Sequence, residues 1–281
     1  MERLYVGSKI CTGLGLATNT YKKVLESGEL TLRELITWAA GRGFSWVEIR
    51  DADVKMSEQE LLDMKELADK LQVRLHYAWD NEDLLCKPES FLKGIENAAL
   101  FGDGTCCRVL LAPNTVKGKK GYTREEMEAL VRIINFYVKK AGEKNIYLCF
   151  ENAMEPLQGD GETYFGMADL LKRCPEMCVT FDAANACSST TCVNPTEAEL
   201  IQYYQEFAER NFYFHLKLTK NHDVLDTLEA DGDFDLHKLF EAFKKNPSML
   251  VCLEIPQQPT LVKMQKAVED SLKFLEGTSE S

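Results

Sequence analysis

The stretch IYLCFEN at residues 146–152 is a run of apolar residues that stops on a carboxylate, Glu151. The same layout returns three times downstream. CVTFD (178–182) ends on Asp182, FYFHLK (212–217) carries His215, and LVCLE (250–254) ends on Glu254. Consecutive apolar residues, as opposed to alternating ones, mark strands covered on both faces, as in a parallel sheet. Further runs lie upstream at Ile10–Leu16, Trp46–Ile49, Val73–Tyr77 and Cys107–Leu111, which makes eight candidate strands.

Amphipathic segments separate the strands. Thr31 with Glu34, Ser57 with Glu60, and Thr123 with Glu126 have the spacing of capping boxes, each opening a segment with apolar residues at helical intervals. Pro88–Phe101, Gly166–Arg173, Pro195–Glu209, Asp235–Lys244 and Thr260–Leu275 supply five more helices. Eight strands alternating with eight helices make a barrel or a doubly wound sheet. No GxGxxG or GxxxxGK follows the first strand, which removes the usual nucleotide-binding reason for the open sheet. The expected fold is therefore α/β: a single (β/α)₈ TIM barrel over residues 1–276, with a polar tail at 277–281.

The chain has 281 residues, ordinary for one such barrel, and a hydrophobic fraction of 45% that can fill a large core. Its net charge of −12 repels a phosphate backbone and an anionic lipid surface, so neither nucleic acid nor membrane is an expected partner. The opening MERLYVGSKI lacks an apolar h-region, and no stretch approaches the roughly 18 apolar residues that would span a bilayer. The ten cysteines therefore fit a reducing, cytoplasmic setting. Cys149, Cys178 and Cys252 fall inside strand runs and read as small buried hydrophobes. The spacing of Cys174, Cys178, Cys187 and Cys192 does not make the paired CxxC of a zinc cluster.

Barrel enzymes carry their reactive groups at the C-terminal ends of the strands, where the loops form an open mouth. Each of the four residues alone has a plain structural reading: Asp182 as a turn cap, His215 as a core histidine, the glutamates as partners of rim lysines. Together they pose a problem, because three carboxylates around one mouth repel each other. A divalent cation resolves it. Three carboxylates and an imidazole favour Mn²⁺, Mg²⁺ or Co²⁺, with Zn²⁺ a less natural occupant in the absence of a thiolate. Lys217 follows His215 by two residues and so points to the same side of its strand, a candidate for substrate contact. His76 and Trp79 close the third strand. Trp79 or Tyr77 could give a sugar an aromatic wall or could pack in the core, and His76 could line the mouth or be a satisfied structural histidine. Glu48 and Arg50 read as a buried pair.

The chain resembles the xylose-isomerase-like barrel superfamily, in particular the sugar isomerase/epimerase branch that includes D-tagatose 3-epimerase and hydroxypyruvate isomerase. The resemblance rests on GFSWVEIR (43–50), Phe150-Glu-Asn152, Phe181-Asp-Ala-Ala-Asn185, Phe214-His-Leu-Lys217, Gly232-Asp-Phe-Asp235 and Leu253-Glu-Ile-Pro256, and runs from about residue 8 to 275. It implies a metal held by Glu151, Asp182, His215 and Glu254, with Glu151 and Glu254 moving protons beside the carbonyl of a sugar or polyol through an enediolate. Departures occur where members carry a His, an Arg and a Glu: here Asn185, Asn221 and Leu157. Asn185 can still donate a hydrogen bond to a substrate oxygen. The ligands match better than the substrate-orienting groups, so an inosose-dehydratase-like lyase and an inactive sugar- or metal-binding barrel stand as alternatives. Barrels of this kind often pair as homodimers, although no exposed apolar stripe in this sequence forces it.

Overall fold

The structure is a computed structural model whose described residues are 13–79, 84–111, 120–153, 155–189, 191, 194–229, 231–242 and 250–277. Eight parallel strands close into a barrel: β1 Leu14–Ala17, β2 Trp46–Arg50, β3 Arg74–Trp79, β4 Cys106–Leu110, β5 Tyr147–Glu151, β6 Cys178–Asp182, β7 Asn211–Leu216 and β8 Leu250–Leu253. Each strand lies beside its neighbours in sequence, and β8 returns to pair with β1. The sequence pattern located all eight. For the first, residues 10–12 of the expected run lie outside the described residues, as do 278–281 of the expected tail, whose first residue, Gly277, instead closes the helix Leu261–Gly277. A small antiparallel hairpin, Thr219–Lys220 with Asp223–Val224, follows β7. No helix among the described residues is long and apolar enough to cross a membrane.

The helices begin where their caps predict. Thr31, Ser57 and Thr123 each accept from the backbone N–H three residues on, while the glutamate at that position accepts from the cap's own N–H. Thr196 with Glu199 forms a fourth box of the same kind. Such caps typically contribute about 1 kcal/mol each.

Strand alternation sorts the core into two compartments. Outward residues such as Val47, Ile49, Tyr77, Phe150, Phe181, Phe214 and Leu253 pack with the helices in one continuous annulus. Inward residues Ala17, Trp46, Cys106, Cys149, Tyr213 and Cys252 fill the bore, with Cys178 and Leu250 against them. The cysteines thus act as the small hydrophobes expected of them, leaving room for the larger rings of Trp46 and Tyr213. Trp46 makes one further demand. A methyl group on Gly15 would lie 2.2 Å from its ring, so β1 must carry a bare backbone there.

One irregularity aligns the mouth. Val179 pairs with Asn211 but Thr180 pairs with Tyr213, so β7 carries one extra residue at this point. The Asn211 side chain accepts from the Phe181 N–H that the shift leaves over. Without the shift, inward Asp182 would lie beside outward Phe214; with it, Asp182 is in register with His215.

Gly15→Ala is expected to destabilise the chain by roughly 1–3 kcal/mol, the usual cost of overpacking a core. Urea unfolding measures it; an unchanged midpoint would mean that Trp46 does not fill the bore as described.

Candidate metal centre

The four strand-end residues converge. Glu151 ends β5, Asp182 ends β6, His215 lies on β7, and Glu254 directly follows β8. One ligand atom from each lies within 4.8 Å of the others, and all four residues are buried. His215 Nδ1 is 2.9 Å from Glu151 Oε1, 3.4 Å from Glu254 Oε2 and 3.7 Å from Asp182 Oδ2. Parity explains the convergence, since all four occupy inward positions of successive parallel strands.

Asp182 has two tasks, one per oxygen. Its Oδ1 accepts from the Asn185 N–H at 2.8 Å, capping the short helix Ala183–Cys187, so the turn-cap reading is also true. Its Oδ2 points into the cluster. Asn152 ties this strand end to the previous one: its Oδ1 accepts from the Asp182 N–H and its side-chain amide donates to the Asp182 carbonyl.

A ring of charge-balancing groups surrounds the ligands. Arg108, inward on β4, reaches Glu48 Oε1 at 3.0 Å and Glu151 Oε2 at 2.9 Å. Glu48 Oε2 faces His215 Nε2 at 3.1 Å and accepts from the Tyr213 hydroxyl. The imidazole thus presents one nitrogen to the ligand cluster and the other to a carboxylate, the usual way a ligating histidine is oriented. Lys217 Nζ lies 2.7 Å from both Asp182 Oδ2 and Glu254 Oε2, and Asn19 donates to Glu254 Oε1 at 2.8 Å. Burial alone would raise Glu48, but Arg108 and then His215 hold it well below the usual carboxylate range. Burial likewise opposes the ionisation of Glu254, yet Lys217 and His215 hold it down to about 2. Burial opposes the charged form of His215, but Glu254, Glu151 and Glu48 outweigh it and hold the imidazole well above its usual range. Lys217 is raised in the same way by Asp182 and Glu254.

The donor set suits a divalent ion. Three carboxylate oxygens and one imidazole nitrogen are hard-to-borderline ligands already gathered around one point. Asp182 Oδ2 is buried within this donor set and already meets a cation, the Lys217 ammonium 2.7 Å away.

Comparison with known proteins bears on this geometry. A family model described as "Xylose isomerase-like TIM barrel" matches residues 36–278. The chain belongs to that family. Among solved structures it is similar to a D-psicose 3-epimerase crystallised in the presence of D-fructose, with a TM-score of 0.71 and 13% identity over 96% of this chain and 100% of that one. It is also similar to a sugar phosphate isomerase/epimerase from Parabacteroides distasonis, with a TM-score of 0.67 and 13% identity over 97% of this chain and 96% of that one. The IolI protein with a bound zinc atom matches with a TM-score of 0.64 and 15% identity over 95% of this chain and 96% of that one. At these identities the likeness is one of fold. No curated protein sequence matches.

The other candidates for substrate contact fall elsewhere. Trp79 and Tyr77 are outward residues of β3. The Trp79 ring lies against Gly94 in the helix Ser90–Ala99, where a Cβ would come within 2.8 Å of it, and the Tyr77 hydroxyl accepts from Asn97. Neither forms an aromatic wall at the mouth. His76 is inward but held below the mouth, edge-on to Trp46 with ring centroids 5.0 Å apart, and its Nδ1 accepts from the Cys106 N–H. It is a core histidine. Asn185 touches the site, but its side-chain amide donates to Glu151 Oε1 and the Asn152 carbonyl, so it orients a ligand. Leu157 is buried in the outer core, and Asn221 sits in the hairpin turn with its N–H donated to Asp233. Glu48 does not pair with Arg50. Arg50 turns to Asp53 at 3.1 Å, and Glu48 takes Arg108. Arg108 and Asn19 are the members that the sequence reading passed over. A charged residue inside the apolar CCRVL run was the available sign of Arg108, while nothing in the sequence marks Asn19.

Burial lowers the pKa of His76 from 6.5 to about 4, so the folded chain keeps this ring neutral. The unfolded chain takes up a proton first as pH falls. Stability should therefore drop between about pH 6.5 and 4, by up to roughly 3 kcal/mol from this group. Urea unfolding of His76→Gln with chelator present should show a flatter acid limb than the wild type; parallel limbs would show that His76 is not held neutral.

Proposed function

We propose that this barrel is a divalent-metal-dependent isomerase or epimerase of a sugar or polyol, acting by proton transfer beside a carbonyl. The observation that carries this reading is the four-ligand cluster at the C-terminal ends of β5 to β8, in a chain of the xylose isomerase-like family. Glu151, Asp182, His215 and Glu254 would hold the ion. When bound, a divalent ion supplies the Lewis acidity that an enediolate requires.

The chain's own residues do the rest. Glu151 and Glu254 are carboxylates on opposite sides of the β6 and β7 ligands, so a substrate carbon seated between them meets a base on one side and an acid on the other. Glu254 is kept ionised, in the form that accepts a proton. Glu151 is fixed by Arg108, Asn185 and His215, which leaves its carboxylate little freedom to wander from the reacting carbon. Glu48 and Tyr213 hold the imidazole that ties the cluster together.

The test is solvent exchange. Protein loaded with Mn²⁺, Co²⁺, Mg²⁺ or Zn²⁺ is incubated in D₂O with ketopentoses, ketohexoses and inososes. Deuterium entering the carbon beside the carbonyl, with sugar interconversion, is the expected result; loss of water from an inosose would reassign the protein as a lyase. Glu254→Gln should slow exchange by at least roughly a hundredfold, the scale of general acid–base catalysis. Full exchange in that variant would remove Glu254 from proton transfer, and no exchange from any candidate with metal bound would favour a barrel that binds without turnover.

A further inference from the structure

The same two oxygens that a divalent ion would bond are the ones that Lys217 contacts. Its Nζ lies 2.7 Å from Asp182 Oδ2 and 2.7 Å from Glu254 Oε2. Those are the atoms that lie 3.7 and 3.4 Å from His215 Nδ1 inside the ligand cluster. They cannot bond a divalent ion and the ammonium together without setting two positive groups a few ångströms apart. The ammonium is well placed for this. Lys217 is two residues beyond His215 on the same inward face, and its side chain is only 13% exposed.

We infer that Lys217 is a resident counter-ion of the metal site, exchanged for the metal when the metal binds. The inference rests on the metal reading of the cluster and adds how that cluster is kept when empty. Four carboxylates, Glu48, Glu151, Asp182 and Glu254, share one buried region. Arg108 lies against Glu48 and Glu151, and Lys217 lies against Asp182 and Glu254. The metal-free cluster therefore neutralises two of its carboxylates by an internal ion pair, and metal binds by displacing it. Two consequences follow. The metal-free protein stays folded, and its affinity for metal is weaker than the four ligands alone would give, because each binding event breaks two ion-pair contacts.

Titration calorimetry with MnCl₂ on chelator-stripped protein tests this. Lys217→Met keeps the alkyl stem and removes the charge. It should bind Mn²⁺ more tightly than the wild type by roughly ten- to a hundredfold, the range over which groups bonded to metal ligands tune affinity. Its metal-free form should melt at a lower temperature, and added Mn²⁺ should recover the difference. A lysine with a merely structural role would, on removal, weaken binding; removal of a competitor tightens it. Equal or weaker binding by the variant, with one Mn²⁺ still bound by the wild type, would overturn the exchange and leave the metal reading standing. Folded wild type and variant that both fail to bind Mn²⁺ would overturn the metal reading and the exchange with it. Should Lys217→Met not fold without metal, Lys217→Gln carries the same comparison.

Discussion

The structure turns on one electrostatic constraint: four carboxylates are gathered at the axis of a barrel whose interior excludes water. An unpaired buried carboxylate is costly, and four together are tolerable only if each has a cationic or hydrogen-bonding partner. Arg108 spans two strands to serve Glu48 and Glu151, Lys217 serves Asp182 and Glu254, and His215 stands between with a carboxylate on each nitrogen. Much of the upper barrel reads as a consequence. The extra residue in β7 brings Asp182 beside His215, Asn152 locks the ends of β5 and β6 together, and Asn19 reaches from the turn after β1 to hold Glu254.

The lower barrel answers a different need. With its charge concentrated near the mouth, the bore below is closed by apolar packing. Trp46 packs edge to face with both His76 and Tyr213, and thiols from β4, β5, β6 and β8 fill the narrower spaces beside them. Tyr213 joins the two halves: its ring belongs to the packed bore and its hydroxyl to Glu48. A mutation in the bore can therefore reach the ligand histidine through a single side chain.

The fold was legible because each strand is a short apolar run and four of the helices announce their start with a capping box. The four clustered residues were legible for the same reason, since parity along a parallel strand decides which side chains face inward. Parity also explains the failures. Trp79 is three residues from inward His76, so it faces the helices, as does Tyr77; the attraction of an aromatic near a strand end had to yield to that rule. Asn185 was read for what its amide could give a substrate, but the amide is spent on Glu151. The pairing of Glu48 lay out of reach because its partners come from β4 and β7, and strand neighbours in sequence do not reveal which groups meet across a bore. The reading of the glutamates as partners of rim lysines holds for Glu254, which Lys217 meets, whereas Glu151 takes Arg108 from inside the bore.

The most direct test is a crystal structure of the protein grown with Mn²⁺, with anomalous scattering recorded to locate the ion. The account predicts one strong peak bounded by Glu151, Asp182, His215 Nδ1 and Glu254, with the Lys217 ammonium moved off Asp182 and Glu254. An empty cluster with Lys217 still in place, in crystals grown with excess Mn²⁺, would contradict it.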